Sequence, residues 1–328
     1  MDPITRQVAL ASAGAESIDV DSVFKVDTYS GSQTPRLIGT VPLDLTQDEN
    51  LVWIKCLTFG STHVLADTVR GANKHLKSNS PAIEDTSTNH VNGFASNGFN
   101  LGTDSDVNRY QQPFVYWLFK SAPKFFDIVT WTGNGATTRT ISHNLGTSPR
   151  LMITKGRDEL ENWFAYSEPT GNGKLLRFPN TSGALTTNTW NNTTPTSSSF
   201  DISGSTLNST NKKYIAYLFG DIPGVIKVGE YTGNPGVGVD VDCGFTNGAQ
   251  FVMIKAKHST TNWYVFDTAR GINNSGANDP YILWDTSSAE TTTQTHLSSY
   301  SSGFRVDATQ FTGTNGSQDY LFMAIAAP

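Results

Sequence analysis

Apolar residues in this chain form short runs of β-branched and aromatic side chains that are bounded by Gly, Asn, Pro and Ser. Examples are Ile141–Gly146, Trp163–Tyr166, Tyr281–Trp284 and Gly303–Val306. Runs of this kind, about 8–15 residues apart and without helical periodicity, are typical of β-strands. Seven or so such strands in roughly 100 residues predict an all-β protein built as an antiparallel β-sandwich or jelly roll.

One apolar strand occurs three times, as Leu51–Lys55, Leu151–Lys155 and Phe251–Lys255, with an offset of 100 residues each time. Fixed offsets between similar segments indicate a tandem repeat. Three other motifs follow the same spacing. They are the aromatic-Ser/Thr-Gly segments at 29–31, 131–133 and 231–233, the Asp-Thr-x-Arg-Gly segments at 67–71 and 267–271, and the closing aromatic strands Phe114–Lys120, Tyr214–Gly220 and Tyr320–Ala326.

These offsets predict three tandem β-sandwich repeats of jelly-roll-like topology, at 24–120 (unit 1), 125–220 (unit 2) and 225–328 (unit 3). Residues 1–23 have no counterpart in the repeats and form a fourth, different segment. Neighbouring units or subunits that stack on one another would cover the free edges of such sheets.

The segment 1–23 has the pattern of a short amphipathic helix. Asp2 can cap it, Pro3 suits its first turn, and Ile4 and Val8 fall on one face. A helix of about ten residues is marginal alone, so we expect it to pack on a partner and to serve as a docking segment through Ile4 and Val8. The alternative is a frayed tail.

The composition of the chain argues against several classes of function. Lys plus Arg is 23 against 29 for Asp plus Glu, which gives a net charge of −6 without blocks of like charge. Nucleic acid is therefore a poor partner. The apolar runs are shorter than the roughly 20 residues of a membrane span, and no secretory signal precedes them. Cys56 and Cys243 are 187 positions apart. They are expected to be free and buried, as in a protein made in a reducing cytoplasm.

Motifs of catalysis and metal binding are missing from the sequence. There is no Gly-x-Ser-x-Gly elbow, no phosphate loop and no Cys-x-x-Cys pair. The six histidines lack zinc spacing and are expected on the surface or in turns. Glu159 and Glu161 lie in one polar turn, where solvated side chains are expected rather than a glycosidase pair. The sequence therefore predicts no enzyme, no cofactor and no metal.

One segment has partial resemblance to a calcium loop. Asp104, Asp106 and Asn108 alternate along the chain, but Arg109 stands at the sixth position, which is Gly in such loops, and Val115 at the twelfth, which is Glu. A polar loop before the closing strand is the favoured interpretation.

Five residues are candidates for ligand contact. Asp67 with Arg70, and Asp267 with Arg270, lie three apart beside a Gly, where either a structural charged turn or a ligand contact is expected. Trp190, within Asn-Thr-Trp-Asn-Asn-Thr, is the tryptophan expected to be exposed and able to stack on a sugar.

Several of these motifs together resemble a domain family that is repeated in tail and tail-fibre proteins of tailed bacteriophages. The resemblance covers 24–328 and rests on the aromatic-Thr-Gly segments, on Ser142–Gly146, and on the apolar strand that ends in Lys. Further matches are Asn162-Trp163, Asn262-Trp263, Asp-Thr-x-Arg-Gly and Tyr214–Phe219, and the start Met1–Thr5 is similar to N-terminal segments of such proteins. Unit 2 departs from the pattern with Ser167-Glu-Pro-Thr-Gly171. The resemblance carries no catalytic residues.

The resemblance implies a virion structural protein, located in the tail and made in the host cytoplasm. The leading hypothesis is a non-enzymatic tail-fibre or tail-tip component that docks on other virion proteins through 1–23 and contributes to host attachment. Its loops would bind a host-surface glycan or protein. The alternatives are a capsid decoration or head-fibre protein, and a carbohydrate-binding or glycan-degrading protein. A homo-oligomer is expected, with a trimer implied by resemblance to fibres, although three tandem units could instead form a pseudo-threefold monomer.

Overall fold

Strands dominate the structure, a computed structural model that describes residues 18–272, 278–293, 295–308 and 311–328. Strands make up 43% and helices 3% of the described residues, which confirms the all-β prediction. The helical segments in these ranges are single turns: 3₁₀ turns at Val20–Ser22 and Glu168–Thr170, and helix α1 at Ser105–Asn108. No helix in the described ranges is long and apolar enough to cross a bilayer.

The strands of unit 1 are short and closely spaced. They are β1 (Phe24–Ser30), β2 (Arg36–Ile38), β3 (Asn50–Cys56), β4 (Val64–Asp67), β5 (Lys74–His75), β6 (Asp85–Thr86), β7 (Val91–Ala95), β8 (Gly98–Leu101) and β9 (Pro113–Lys120). Unit 2 has β10 (Phe126–Thr132), β11 (Thr138–Ser142), β12 (Leu151–Gly156), β13 (Trp163–Ser167), β14 (Lys174–Phe178), β15 (Leu185–Thr186), β16 (Ser199–Ser203) and β17 (Lys213–Phe219). Unit 3 has β18 (Ile226–Thr232), β19 (Val239–Asp242), β20 (Ala249–Ala256), β21 (Tyr264–Asp267), β22 (Ile282–Leu283), β23 (Leu297–Tyr300), β24 (Gly303–Val306) and β25 (Asp319–Ala326).

Three antiparallel main sheets have equivalent strand orders. They are β1-β9-β3-β4 (main sheet 1), β10-β17-β12-β13-β14-β15 (main sheet 2) and β18-β25-β20-β21-β22 (main sheet 3). The register is also the same, because Leu51 pairs with Phe119, Leu151 with Phe219 and Phe251 with Ile325. In each sheet the closing aromatic strand lies between two other strands and is buried on both faces, and its sequence is a nearly continuous apolar run.

The outer face of each main sheet is covered by a smaller sheet of its own unit. These side sheets have the orders β2-β8-β7, β11-β16 and β19-β24-β23. Alternation along the strand separates the two faces. Val52, Ile54 and Cys56 belong to the outer cluster under side sheet 1, whereas Leu51 and Trp53 belong to a different, inner cluster.

The inner faces of the three main sheets pack against one another in a single shared core. Phe119 is fully buried there, with its ring centroid 5.4 Å from Phe219, 6.2 Å from Phe251 and 5.6 Å from Phe126. Edge-to-face and tilted aromatic pairs of this kind add to the energy of area burial. Each unit therefore completes its core with residues of the other two.

Backbone hydrogen bonds between the units close the arrangement into a ring. Glu84 N donates to Arg157 O (2.6 Å), Ala184 N to Lys257 O (2.7 Å), and Glu290 N to Leu57 O (2.7 Å). The acceptors stand at equivalent positions, 100 residues apart. The three contacts join unit 1 to unit 2, unit 2 to unit 3 and unit 3 to unit 1, as the pseudo-threefold alternative anticipates.

The last residues of the N-terminal segment do not lie where the sequence predicts. Residues 1–23 were expected to lie outside the core, but Val20 and Val23 are buried within the shared core, where Asp19 caps the 3₁₀ turn that places them. The shared core therefore includes the end of that segment. The expected helix, with Ile4 and Val8, lies outside the described residues. Cys56 and Cys243 are buried and unpaired, as expected.

Truncation of the shared core at its centre is expected to unfold all three sheets together. We expect Phe119→Ala to lower the free energy of unfolding by about 3–5 kcal/mol, because it removes an aromatic ring and leaves a cavity that three sheets share. Urea titration followed by tryptophan fluorescence would show one transition moved to lower denaturant. Leu160→Ala, at a side chain that is 80% exposed, should change stability by less than about 0.5 kcal/mol. Two transitions, with only one of them shifted, would contradict the shared core.

Candidate functional site

Two loops meet at the same place in each unit and form what we call the loop-pair surface. In unit 1 it consists of residues 57–62 and 109–112, and in unit 2 of residues 157–162 and 205–212. One backbone bond anchors the first loop in every unit: Leu57 N donates to Pro113 O, Arg157 N to Lys213 O and Lys257 N to Asp319 O, at 2.9, 2.7 and 2.9 Å. This anchoring bond repeats in all three units, so the backbone that holds the first loop is the same in each of them.

Buried lysines support the same loops from below. Lys55, Lys155 and Lys255 end the repeated apolar strand and are fully buried, which lowers the pKa of each to about 8. Their Nζ atoms donate to loop carbonyls, such as Phe59 O (3.1 Å) and Glu159 O (3.2 Å). The sequence showed three lysines in register, but not that an ammonium group satisfies loop carbonyls inside the protein.

The chemistry displayed on this framework differs between units. In unit 1, the Arg109 guanidinium lies over the Phe59 ring at 4.0 Å, and Phe59 and Tyr110 are 39% and 61% exposed. This is an aromatic and cationic surface. In unit 2 the corresponding surface is an open cleft of about 260 Å³ that contains Glu159 and Glu161.

The unit 2 cleft has carboxylates on one side and hydroxyl groups on the other. Both carboxylates come from one loop, and Ser205, Thr206 and Ser209 line the cleft with hydroxyl groups. Glycoside hydrolysis needs carboxylates on both sides of the bond that is cleaved. Glu159 Oε2 accepts from the Tyr214 hydroxyl at 3.2 Å, and burial, followed by the charge of Glu159, raises the pKa of Glu161.

The predicted ligand residues Asp67 and Arg70 are buried at the seam between units 1 and 2. Asp67 Oδ2 accepts from Arg70 Nε at 2.5 Å and from the Tyr217 hydroxyl of unit 2 at 2.8 Å. Arg70 Nη1 also reaches Glu84 Oε2 at 3.3 Å. Both side chains are shielded from solvent. The motif is a structural turn whose carboxylate binds across the seam.

Asp267 and Arg270 repeat this arrangement between units 3 and 1. Asp267 Oδ2 accepts from Trp117 Nε1 at 2.9 Å, and Arg270 Nη1 donates to Glu290 Oε1 at 3.1 Å. At the remaining seam, Ser167 replaces the aspartate. The residue in register with Trp117 and Tyr217 is there Met323, which has no polar hydrogen. This seam therefore lacks both the carboxylate and the side-chain donor that would face it, as expected if the two groups contact each other directly.

Trp190 is buried, which contradicts the expectation that it is exposed. Its side chain is 0% exposed, lies 5.8 Å from the Tyr166 ring and donates from Nε1 to Lys174 O at 2.9 Å. Its Asn and Thr neighbours carry the polar surface, so the polar sequence around it misled the prediction. Trp190 is therefore not available to stack on a sugar.

The histidines were also predicted wrongly, since five of the six are buried and only His258 is exposed. Burial lowers the pKa of His75 and of His296 to about 4. His63 accepts from Trp53 Nε1 at 3.0 Å, and its Nε2 lies 3.0 Å from Leu283 O of unit 3. Trp163 and Trp263, at equivalent positions, donate to carbonyls across the other two seams.

The Asp104–Asn108 segment folds as helix α1 with Asp104 as its cap. The Asn108 amide donates to Thr34 O and Gly102 O at 2.7 Å, and its Oδ1 accepts from Ser32 N at 2.8 Å. Asn108 thereby holds the surrounding loops together, and this role differs from that of a ligand in a calcium loop.

A carboxyl pair that the sequence did not reveal lies in an open cleft of about 310 Å³ at the joint between units 1 and 2. Glu49 Oε2 accepts from Ile128 N at 3.1 Å, and Asp127 Oδ2 accepts from Asn144 N at 2.7 Å. Burial, with the nearby Asp127, raises the pKa of Glu49 to about 7. The two residues are 78 positions apart in different units, so spacing could not connect them.

Comparison with known proteins gives one match. The family model for a domain of unknown function, DUF7483, matches residues 19–328. The matched region begins at Asp19, the cap of the 3₁₀ turn that enters the core. No curated protein and no solved structure matches the chain.

Removing the buried carboxylate of Asp67 is expected to destabilise the protein more than removing the hydroxyl of Ser167 at the equivalent position of another seam. We expect Asp67→Ala to lower the free energy of unfolding by about 3–5 kcal/mol, because it leaves the Arg70 guanidinium buried without its partner. Ser167→Ala is the matched control and should cost about 1 kcal/mol, the value of one neutral hydrogen bond. Urea denaturation of both variants measures the difference, and equal losses would show that the ion pair is not what holds this seam.

The contribution of Glu49 to stability is expected to fall as pH rises from about 4.5 to about 7, opposite in sign to that of the buried histidines His75 and His296. Over this range the folded protein keeps a proton on Glu49 that the unfolded chain releases, because the pKa of Glu49 is raised from 4.5 to about 7. Glu49→Gln should remove this contribution, so that between pH 4.5 and 7 the melting temperature of the variant, relative to that of the parent chain, increases with pH. Glu168→Gln, at an exposed carboxylate, should leave the profile as it is. An unchanged slope in Glu49→Gln would assign the pH dependence to other groups.

Proposed function

We propose that this chain, which belongs to the DUF7483 family of domains of unknown function, is a non-enzymatic structural protein of a bacteriophage virion. Its place is the tail fibre or tail tip, where it contributes to host attachment. The proposal is supported by the motifs that resemble the repeated domain family of tail proteins. Those motifs include the strands that end in Lys55, Lys155 and Lys255, which form the support of the loop-pair surfaces.

The architecture behind this proposal is three tandem β-sandwich repeats, each made of a main sheet and its side sheet. The repeats are closed on themselves by the shared core, so the chain is a pseudo-threefold body. A rigid body that presents loops at three equivalent places suits a binding role, because binding residues are commonly found on loops held by a rigid scaffold.

The contrast between constant anchors and variable loop surfaces is the observation that carries the proposal. Leu57, Arg157 and Lys257 make the same anchoring bond, whereas the side chains above them are aromatic and cationic in unit 1 and acidic in unit 2. Repeats under a purely packing constraint would not need such different surfaces at one place. Surfaces that contact different parts of a host receptor would need to differ from unit to unit.

The unit 1 loop-pair surface is the part best suited to a host glycan. Phe59 and Tyr110 offer exposed ring faces for stacking on sugars, and Arg109 offers donors to hydroxyl or carboxylate oxygens. A single surface of this size would bind weakly. Several copies in a virion would raise the avidity without new contacts, and the N-terminal segment would hold those copies on other tail proteins.

Glycan binding is expected to depend on the unit 1 loop-pair surface. On an array of bacterial surface polysaccharides, Tyr110→Ala and Phe59→Ala should each weaken binding of the full chain by about 5- to 10-fold, because a stacking contact is worth on the order of 1 kcal/mol. Val237→Ala, a similarly exposed apolar residue in unit 3, is the control and should bind like the parent chain. Binding that survives both ring deletions would exclude this surface.

Mass spectrometry of separated phage heads and tails would test the virion assignment. The chain is expected in the tail fraction. Its recovery with capsids would favour the decoration or head-fibre alternative, and its absence from both would overturn the virion proposal. Release of oligosaccharides from host polysaccharide by the purified chain would instead favour a glycan-degrading enzyme.

A further inference from the structure

One group of metal-ligating side chains in unit 1 lies outside the loop-pair surface. It consists of His90, immediately before β7, Asp104, which caps α1, and Asp106, in the first turn of α1. One ligand atom of each residue lies within 4.8 Å of the others. Backbone bonds hold the two segments together, since Gly102 N donates to His90 O (2.7 Å) and Asp104 N to Asn89 O (2.8 Å).

The His90 imidazole is the unusual member of this group. It is 4% exposed, its Nε2 lies 3.5 Å from Asp104 Oδ1, and its Nδ1 is buried without a hydrogen-bond partner. A buried imidazole ordinarily has both nitrogens satisfied, because an unpaired polar atom in the interior costs about 1–3 kcal/mol. Its ring lies against that of His75, with centroids 4.7 Å apart, and its Nε2 is on the side of the Asp104 carboxylate.

The carboxylates provide access and charge for a cation. Asp104 and Asp106 are partly exposed, so their side chains can rotate and an ion can enter. Asp104 Oδ1 also accepts from Asp106 N at 2.8 Å, but a carboxylate has about four lone-pair positions, so the cap leaves room for a metal bond. Lys77 is a nearby positive charge that a cation would have to displace or tolerate.

Among the residues that the structure describes, units 2 and 3 lack this combination at the corresponding turn. In unit 3, Asp307 N donates to His296 O as Gly102 N does to His90 O, but His296 stacks on Phe311 at 4.1 Å, and Phe311 occupies the place of Asp104. Residues 311–314 read Phe-Thr-Gly-Thr, and residues 203–206 of unit 2 read Ser-Gly-Ser-Thr, without a carboxylate. The fold of this turn therefore does not require the three ligands that unit 1 brings together.

We propose that His90, Asp104 and Asp106 bind a divalent transition-metal ion, with Zn²⁺ as the preferred ion. One imidazole nitrogen and two carboxylate oxygens are a donor set suited to zinc, which binds such ligands at about 2.0–2.2 Å. The three ligand atoms lie within 4.8 Å of one another, so binding requires the aspartate side chains to turn toward the ion. Three protein ligands leave a coordination position open to water or to an oxygen of an external ligand. This site stands independently of the proposed function.

Calorimetric titration of the metal-free full chain with ZnCl₂ and, separately, with CaCl₂ tests the site. The expected result is one Zn²⁺ per chain, bound more tightly than Ca²⁺, together with a rise in melting temperature. His90→Gln and Asp106→Asn should each weaken Zn²⁺ binding by at least about 10-fold. His296→Gln is the matched control for a buried imidazole and His258→Gln for an exposed one, and both should bind Zn²⁺ like the parent chain.

Four results would contradict the proposed zinc site. Unchanged zinc affinity in Asp106→Asn, loss of affinity in His258→Gln, tighter binding of Ca²⁺ than of Zn²⁺, or no binding at all would each overturn the proposal. Asp106→Asn keeps the size of the side chain and the cap from Asp104, so its folding, checked by circular dichroism, is expected to be normal. Co²⁺ in place of Zn²⁺ gives a second readout, because its visible absorption should appear with the parent chain and disappear with Asp106→Asn.

Discussion

The shared aromatic core is the constraint on which the rest of the structure depends. Each main sheet has apolar residues on both faces, and its side sheet covers only the outer one. The inner face excludes water only when the other two main sheets lie against it. Phe119 shows this directly, since its neighbours come from all three units. Burial of that surface holds the three main sheets against one another.

Polar contacts at the seams complement the core by fixing which strand faces which. An apolar core tolerates small slips, whereas a buried carboxylate that requires a donor from the next unit does not. Asp67 meets Tyr217 and Asp267 meets Trp117, whereas the equivalent positions of the third seam hold Ser167, which has no charge, and Met323, which has no polar hydrogen. The units have therefore diverged in matched pairs, because a buried charge without its partner would be destabilising.

Loops anchored on this body are free to differ, because the core does not contact their outer side chains. The backbone anchors and the buried lysines are the same in each unit, while the exposed residues above them are not. The cluster of His90, Asp104 and Asp106 is a further difference, present at one of three equivalent turns. Divergence at equivalent positions gives one chain several distinct surfaces, which suits the proposed role in attachment.

The sequence by itself determined the fold class, because the alternation of apolar runs and turn residues reflects local strand geometry. It also determined the repeated framework: the offsets of the apolar strand, of the closing strand and of the Asp-Thr-x-Arg-Gly turn correspond to equivalent strands in three sheets of one register. For Asp67 and Arg70 the sequence offered two alternatives, a structural turn and a ligand contact. The structural turn could be predicted because a charged pair beside a Gly is a local feature.

Only the tertiary structure decided what depends on residues far apart in the chain. The burial of Trp190 and of five histidines, the entry of Val20 and Val23 into the core, and the meeting of Glu49 with Asp127 all depend on that packing. So does the position of His90 beside α1. Burial and proximity are properties of packing between segments, and a polar neighbour in sequence does not report which way a side chain points once the ring has closed.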